Sequence, residues 1–475
     1  MTDDNGGRFP ETEGTDDPFL DPAQLGRQWH EHAVLFETLL DEGRDEELAA
    51  VARDLAPGDL SEIVRPLSFG DTARVIQLLP LDLASDVLVE IDKRSVGVLM
   101  ELLSIDAVAD LIEEMPSDEA ADVVGEMHAD QAREVLAAME PEERDEVTEL
   151  LQYDPDTAGG LMAKEFITVD KTAICLDVVK AVRAMDEDDR EALHFIYVTD
   201  EDGQLVGRIP LVEMLMQPWS TPVIKVMEGD PHHVEVDLDQ EQVAQFVMAH
   251  DLLTLPVVDA DGQLRGVIHA DDVLDVMEEE ATEDFGHFAG TREDLGETSP
   301  LKVARARMPW LLAALVGQIG CVFLMSHFED ALAKVVALSF FIPAIMAMGG
   351  NTGIQTSSVV VRGLATGEVD VYNLSKYLIR ELATSVMTGG LIALCLYVVA
   401  RLVVGNEGLA LVLMVSMLTV IIFAAMVGTA VPLLLHRLGV DPALATGPFI
   451  TTSNDVMAIV IYLGMATLML KGGAV

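Results

Sequence analysis

The 475-residue chain carries 29 basic and 81 acidic side chains, a net charge of −52, although half of its residues are hydrophobic. Residues 301–475 contain 10 basic and 8 acidic side chains, a net charge of +2, so the first 300 residues carry the remaining −54. This length and the apolar second part exclude a single soluble domain. The acidic first part repels nucleic acid and attracts cations, so we expect divalent cations and no nucleic acid among the partners.

The beginning of the chain predicts a cytosolic, helical region. Residues 1–24 are rich in Asp, Glu, Gly and Thr, a composition that predicts a disordered acidic tail. No basic and apolar signal peptide follows Met1, so we expect the first 300 residues to stay in the cytosol. Three widely separated cysteines fit a reducing compartment. Residues 25–154 form the predicted helical-repeat N-domain.

Short helices recur in this N-domain at a period of 11 to 13 residues. Each predicted helix begins at an acidic or hydroxyl side chain that can cap its first turn, and apolar residues at helical spacing follow. The predicted caps are Asp59, Asp71, Asp82, Ser95, Asp106, Asp118, Asp130 and Glu142. Helices this short need their neighbours for stability, so the pattern predicts an α-solenoid.

A second repeat, with a period of 59 residues, lies within residues 155–280. Phe195–Val198 and Leu255–Val258 each precede an Asp-Gly dipeptide and a second β-branched run, which predicts two strands, a tight turn and a helix in each copy. The pattern resembles a tandem pair of cystathionine-β-synthase-type (CBS) domains. Such a pair is either a structural dimerisation module or a ligand sensor.

The resemblance to CBS domains makes an adenosine nucleotide such as ATP a possible ligand. Nucleotide-binding copies commonly carry Thr or Ser three residues after the glycine and Asp three residues further on. Pro210 and Glu213 occupy these positions in the first copy, and His269 and Asp272 occupy them in the second. Only Asp272 fits, so the second copy is the candidate for ATP.

Five apolar stretches in residues 309–475 are long enough to cross about 30 Å of hydrocarbon as helices. They are Trp310–Phe328, Ala331–Met348, Leu382–Val404, Leu409–Leu435 and Ala445–Leu470. Seven basic residues beside the spans lie on the side of the membrane that holds the N-terminus, and three lie on the opposite side. Basic residues are enriched on the cytosolic side, which predicts a cytosolic N-terminus and an extracytoplasmic C-terminus. With a linker and juxtamembrane helix at 281–308, the chain is predicted to be multi-domain: a cytosolic α-solenoid, an α/β tandem CBS pair and an all-α transmembrane domain of five helices.

One acidic residue, Asp455, lies deep within a predicted span, ten residues after Ala445 and fifteen before Leu470. An ionised carboxylate at that depth is costly unless it faces water or a cation. Thr451 precedes it by one helical turn and Gly447 by two, so the three share a face. We interpret this face as an ion site; a protonated or hydrogen-bonded carboxyl that bridges two helices is the alternative.

The end of the second predicted span has a proline and three glycines, from Pro343 to Gly353. This run, with Gly349, Gly350 and Asn351 at its centre, predicts a kinked helix that exposes carbonyl and amide oxygens. Such oxygens suit Mg²⁺ and its water shell. Close packing of two helices at the glycine pair is the alternative.

The Gly-Gly-Asn-Thr-Gly-x-Gln run at 349–355, the Asp-Pro-Ala-Leu stretch that leads to Asp455, the CBS pair and the helical N-domain together resemble the MgtE-type magnesium channel and transporter family. The resemblance implies a homodimer with a pore on the two-fold axis, lined by the second and fifth spans. It also implies that Asp455 of both chains binds hydrated Mg²⁺ and that the Thr451 carbonyl contributes.

One position departs from that resemblance. Gly447 corresponds to an asparagine in some relatives, where the asparagine helps to select the ion, and Asn454 is the residue that can substitute for it here. Because of this departure, Co²⁺, Mn²⁺ and Ca²⁺ stay open as alternative transported ions.

The resemblance further implies that intracellular Mg²⁺ holds the pore closed by binding at acidic contacts of the N-domain and the CBS pair. Carried over by motif, the sensing positions are Asp239, Glu241, Asp251, Asp272, Asp275, Glu280, Glu283 and Asp284. Ions that bridge carboxylates in a compact state shift the population toward it, and repulsion opens the assembly without them. A solvated acidic face is the alternative for residues 271–284.

The sequence thus predicts Mg²⁺ uptake across the cell membrane by a multi-pass homodimer in the lipid bilayer. A transporter of another divalent cation and a membrane-anchored CBS sensor without transport are the alternatives. Enzyme activity is not expected because the sequence has no nucleophile–base pair, metal-hydrolase spacing or phosphate loop.

Overall fold

The computed structural model of the protein describes residues 22–185, 190, 193–289, 300–365, 369, 374–438, 440–445 and 447–471. The chain forms two compact units. The N-terminal unit consists of Met1–Val243 with His250–Val273, and the C-terminal unit consists of Ala244–Ala249 with Leu274–Val475.

Ten helices fill the described residues from 22 to 150 of the N-terminal unit. They are α1 (Pro22–Glu42), α2 (Asp45–Ala52), α3 (Pro57–Val64), α4 (Phe69–Leu78), α5 (Leu81–Val89), α6 (Lys93–Leu102), α7 (Ile105–Glu113), α8 (Ser117–Glu126), α9 (Ala129–Ala138) and α10 (Pro141–Leu150). Each helix packs on the second helix along the chain, so that odd-numbered and even-numbered helices form two layers. This arrangement confirms the predicted solenoid. The predicted tail lies outside the described residues as far as Asp21, and residues 22–24 begin α1.

The predicted cap positions are wrong by two or three residues. The residues predicted as caps lie inside the first helical turn, and the N-cap position belongs to a residue two or three places earlier. Ser68 caps α4 by accepting the Asp71 amide at 3.2 Å, and Asp92 caps α6 by accepting the Ser95 amide at 3.0 Å. A first-turn acid and a cap give the same signal in sequence because both are favoured where the helix dipole is positive.

Two small sheets follow the solenoid and confirm the CBS pair. The strands are β1 (Thr168–Asp170), β2 (Phe195–Thr199), β3 (Leu205–Pro210), β4 (Glu228–Gly229), β5 (Val234–Glu235), β6 (Thr254–Val258) and β7 (Leu264–His269). Their order is β1-β2-β3-β4 in one sheet and β5-β6-β7 in the other. The accompanying helices are α11 (Cys175–Ala184), α12 (Leu211–Leu215), α13 (Gln240–His250) and α14 (Ala270–Ala289).

The two Asp-Gly turns relate the CBS copies to each other. Gly203 and Gly262 both have φ of +78°, the conformation that the predicted turns require. The Gln204 amide donates to the Asp261 carbonyl at 2.7 Å, and the Gln263 amide donates to the Asp202 carbonyl at 2.9 Å. The turns therefore join the two sheets by a reciprocal pair of hydrogen bonds.

In the described part of the C-terminal unit, five helices are long and apolar enough to cross a membrane. They are α15 (Pro300–Ser326), α17 (Ala337–Ala365), α18 (Leu374–Val403), α19 (Glu407–Arg437) and α20 (Pro448–Lys471), and the short α16 (Glu329–Lys334) lies between the first two. Helix α19 packs against α17, α18 and α20, and α15 packs against α20. The linker 281–308 contributes the end of α14 and the start of α15, and residues 290–299 lie outside the described residues.

The second span differs from its prediction. Helix α17 begins six residues later than predicted and continues through the glycine run to Ala365, with Pro343 in its second turn. The run from Pro343 to Gly353 is therefore helical throughout, and the predicted kink stays a prediction. Glycine propensity alone disfavours a helix there, but packing of α19 and α20 on the glycines overrides it.

Candidate functional sites

Asp455 is a buried carboxylate at the contact of three membrane helices. It lies in the third turn of α20, roughly 10 Å along the helix from Pro448, and only 6% of its surface is exposed. The Gln318 side chain of α15 donates a hydrogen bond from Nε2 to Asp455 Oδ2 at 2.6 Å. An ionisable group within a membrane span indicates a functional site by default.

The glycine pair of α17 lies against this turn of α20. A Cβ atom built on Gly350 would lie 3.4 Å from Thr451 Cγ2 and 4.0 Å from Asp455 Oδ1. The structure therefore brings Gly350, Thr451 and Asp455 together. The Thr451 hydroxyl donates to the Gly447 carbonyl at 2.9 Å. Gly447 has φ of +58°, a conformation that glycine adopts freely and asparagine tolerates better than most residues.

Of the remaining predicted pore residues, Gly349 and Asn454 lie at contacts between helices, and Asn351 lies on an exposed helix face. Gly349 faces the Val420 side chain of α19 and the Asn454 carbonyl. Asn454 is 1% exposed, and among the described residues neither its Oδ1 nor its Nδ2 has a hydrogen-bond partner. Its amide faces Gly353, whereas Asn351 lies on the exposed face of α17. Their direct contact with an ion stays a prediction.

Replacing Gly353 with alanine is expected to destabilise the membrane unit by about 1–3 kcal/mol, because overpacking forces neighbours apart. A Cβ atom there would lie 2.0 Å from Asn454 Nδ2 and 2.8 Å from Ile450 Cγ2. Gly464→Ala is the matched control, since no described atom lies within 4 Å of a Cβ atom at that position. Thermal unfolding in detergent compares the two; equal melting temperatures would contradict the close packing.

Two polar residues of the membrane unit were missed in the sequence. Glu381 is the eighth residue of α18 and accepts a hydrogen bond from the Thr356 hydroxyl of α17 at 3.0 Å. The sequence prediction places Glu381 outside the membrane, because the predicted third span begins at Leu382. Gln318 is a single amide in an otherwise apolar stretch, a signal that was available and that points to a buried partner.

A second buried carboxylate, Asp118 of α8, lies in the N-terminal unit. Its Oδ1 has no hydrogen-bond partner among the described residues. Burial, followed by the nearby negative charges of Asp272, Glu119 and Glu165, raises the pKa of Asp118 well above its ordinary value. Ionised carboxylates that lie close together repel each other and are suited to share a cation. From the sequence, Asp118 is predicted only as a helix cap, and this candidate cation site is therefore missed.

Hydrogen bonds fix the surroundings of Asp118. The Ser117 amide and hydroxyl donate to the two carboxylate oxygens of Glu165 at 3.0 and 2.9 Å. Lys164 donates through Nζ to Glu149 of α10 and to the Arg265 carbonyl of β7, each at 2.8 Å. The segment at 164–165 thus joins the solenoid to the second CBS copy, which brings Asp272 close to Asp118.

The predicted sensing residues are distributed over α13 and α14. Asp239 accepts the Glu241 amide at 3.1 Å, Asp251 follows α13 with φ of +50°, and Asp272 accepts the His269 amide at 3.0 Å. The others, Asp275, Glu280, Glu283 and Asp284, lie on α14, and the Asp284 side chain lies outside the described residues. Within the described ranges, no three Asp, Glu, His or Cys side chains gather closely enough to hold a metal ion.

Five apolar helices, one of which carries a buried carboxylate, together with a solenoid and a CBS pair, are typical of a multi-pass membrane protein that transports ions. Known families agree with this class: residues 342–465 match a divalent cation transporter model, residues 55–156 match the MgtE intracellular N domain, and residues 223–279 match a CBS domain. The chain belongs to the MgtE magnesium transporter family. This is a family of membrane ion transporters and not a class of enzymes.

Two magnesium transporters of known sequence support this assignment. The magnesium transporter MgtE of Thermus thermophilus is 36% identical over 69% of this chain and 73% of that protein. The magnesium transporter MgtE of Bacillus subtilis is 34% identical over 67% of this chain and 70% of that protein. A crystal structure of the cytosolic domain of the Mg²⁺ channel MgtE in complex with ATP is 31% identical, covers 51% of this chain and 99% of that chain, and has a TM-score of 0.49.

Proposed function

We propose that this protein conducts hydrated Mg²⁺ across the cell membrane into the cytosol as a homodimer, and that intracellular Mg²⁺ holds it closed. The observation that carries the proposal is Asp455, a buried carboxylate in a membrane helix that faces a glycine pair. Magnesium sheds its water reluctantly, so a carboxylate beside small residues suits the hydrated ion. A site that contacts only the water shell also lets the ion leave again.

The exposed face of α17 supports the homodimer. Ala344, Ala347, Asn351 and Gln355 lie along this face at intervals of three or four residues, and all are exposed in the single chain. Amide side chains are costly in lipid unless they face a partner or a water-filled passage. A second copy across a two-fold axis would cover this face and place two Asp455 carboxylates on opposite sides of one ion path.

An apolar patch on the CBS pair also supports the homodimer. Val212, Leu215, Met216 and Trp219, on and after α12, are 73%, 70%, 78% and 59% exposed. Contiguous exposed apolar side chains of this kind mark interaction surfaces. We assign this patch to the contact between the CBS pairs of two copies.

The Asp118–Asp272 pair supports closure by intracellular Mg²⁺. A buried carboxylate oxygen without a described partner, next to a second carboxylate, is stabilised when a divalent ion lies between them. One or two carboxylates with retained water form a typical Mg²⁺ site. Binding at this pair would hold α8 on the CBS pair, and the remaining sensing residues would act in the same way on α13 and α14. We therefore add Asp118 to the predicted sensing set.

The proposed orientation rests on basic residues. Lys302, Arg305 and Arg307 lie in the first turns of α15, and Arg362 lies near the end of α17. Positive charge is enriched on the cytosolic side of membrane proteins. The N-terminal unit and the Asp118 site would then sense the cytosolic ion concentration.

Competition tests the identity of the ion. Uptake of Mg²⁺ by cells that express the full-length protein is measured with Co²⁺, Mn²⁺ or Ca²⁺ added outside. We expect Mg²⁺ to be taken up at the highest rate and the other ions to compete only at higher concentration. Faster uptake of one of the other ions, with Mg²⁺ as the weaker competitor, would replace Mg²⁺ by that ion as the cargo.

A further inference from the structure

Gln318 is the only amide side chain in α15, and the stretch around it is apolar. Its side chain reaches across to α20 and donates to Asp455 Oδ2 at 2.6 Å. A hydrogen bond to an ionised group is stronger than one between neutral groups. The contact therefore fixes the orientation of the carboxylate that carries the proposed function.

The neighbouring glycine makes this contact sterically possible. A Cβ atom on Gly317 would lie 2.0 Å from Thr452 Cγ2 and 3.1 Å from Thr452 Oγ1. Only a residue without a side chain lets α15 approach α20 so closely. Gly317 thus sets the distance between the helices, and Gln318 uses that distance to reach Asp455.

The two oxygens of Asp455 have different neighbours. Oδ2 accepts the Gln318 amide, whereas Oδ1 faces Gly350, where a Cβ atom would lie 4.0 Å away. The glycine leaves room beside Oδ1 that any larger residue would fill. One oxygen is therefore held by the protein, and the other faces the small-residue side of α17.

We propose that Gln318 is a positioning residue for the ion site: its amide holds Asp455 Oδ2 and keeps Oδ1 aimed at the path of the hydrated divalent cation. This inference rests on the proposed function, because it concerns how Asp455 meets the ion. The amide prepares the carboxylate without occupying the side that the water shell of the ion contacts. Gln318 then sets the affinity of the pore for the ion, whereas the maximal rate of ion uptake depends on other residues.

Two substitutions of similar size test the proposal by opposite effects. Gln318→Met removes the donor, so the half-saturating Mg²⁺ concentration for uptake should rise roughly tenfold while the maximal rate stays near that of the wild type. Gln318→Glu replaces the donor with a second carboxylate. It should lower the half-saturating concentration and also the maximal rate, because a divalent ion held by two carboxylates leaves slowly.

Ile319→Met is the matched control, since Ile319 is the adjoining exposed residue of α15; its uptake kinetics should equal those of the wild type. Unchanged half-saturation in Gln318→Met, or a change in the same direction in both Gln318 variants, would overturn the proposal. If Gln318→Met is not recovered as folded protein, a lowered half-saturation in Gln318→Glu supports the proposal and an unchanged one overturns it. Asp455→Asn in the same assay separates failure of the Gln318 proposal from failure of the proposed function, because normal uptake by that variant contradicts the proposed function itself.

Discussion

Asp455→Asn is expected to reduce Mg²⁺ uptake by roughly a hundredfold or more while the protein still folds. Removing one partner of a buried charge interaction typically costs about 3–5 kcal/mol, and each 1.36 kcal/mol is a tenfold change in rate. Asparagine keeps the shape of the side chain and one oxygen acceptor. Only the negative charge that attracts the divalent cation is lost.

The measurement is uptake by cells that depend on the expressed protein for Mg²⁺, with the amount of folded protein checked by size-exclusion chromatography. Asp330→Asn is the matched control, because Asp330 is an exposed acid of α16, the short helix between the first two membrane helices. It should leave uptake unchanged. Normal uptake by Asp455→Asn would remove Asp455 from the ion path.

Asp118→Asn is expected to stabilise the Mg²⁺-free protein at neutral pH and to weaken its response to Mg²⁺. In the wild type, burial and then repulsion by the negative charges of Asp272, Glu119 and Glu165 disfavour the ionised form of Asp118. The neutral amide removes this repulsion, which we expect to be worth about 1–3 kcal/mol. Limited proteolysis without Mg²⁺ should digest residues 25–300 of the wild type faster than those of the variant, and added Mg²⁺ should protect the wild type more.

The raised pKa of Asp118 gives this prediction a pH dependence. A folded-state pKa above the ordinary value of 3.8 contributes stability that is fully present below 3.8 and is lost as the pH rises through the folded pKa. Without Mg²⁺, the melting temperature of the wild type should therefore fall from mildly acidic to neutral pH by more than that of Asp118→Asn. Asp110→Asn, at an exposed position of α7, should behave like the wild type. Identical proteolysis and pH profiles for the wild type and Asp118→Asn would exclude the Asp118 site.

Local patterns in the sequence predicted the helical solenoid, the two CBS hairpins and the five membrane helices. An Asp-Gly dipeptide between β-branched runs predicts a tight turn wherever it occurs, so both CBS hairpins were placed correctly. Five spans were found because hydrocarbon requires about 20 apolar residues. Asp455 was found for the same reason: a charge within an apolar stretch is visible without knowledge of its neighbours.

Contacts between distant residues were not visible in the sequence. Gln318 and Asp455 are separated by 137 positions, and their hydrogen bond depends on the close approach of α15 and α20 at Gly317. Asp118 carries the same local signal as the other first-turn acids of the solenoid. Its burial depends on the CBS segment that packs over α8, which is a tertiary property.

Flux into liposomes that contain only this protein tests the central claim most directly. The account predicts that Mg²⁺ enters liposomes containing the wild type at a rate well above that of empty liposomes, and that Asp455→Asn abolishes this flux. Mg²⁺ added on the side of the N-terminal unit should reduce the flux. Folded wild-type protein that gives no flux above empty liposomes would contradict transport and leave a membrane-anchored sensor as the function.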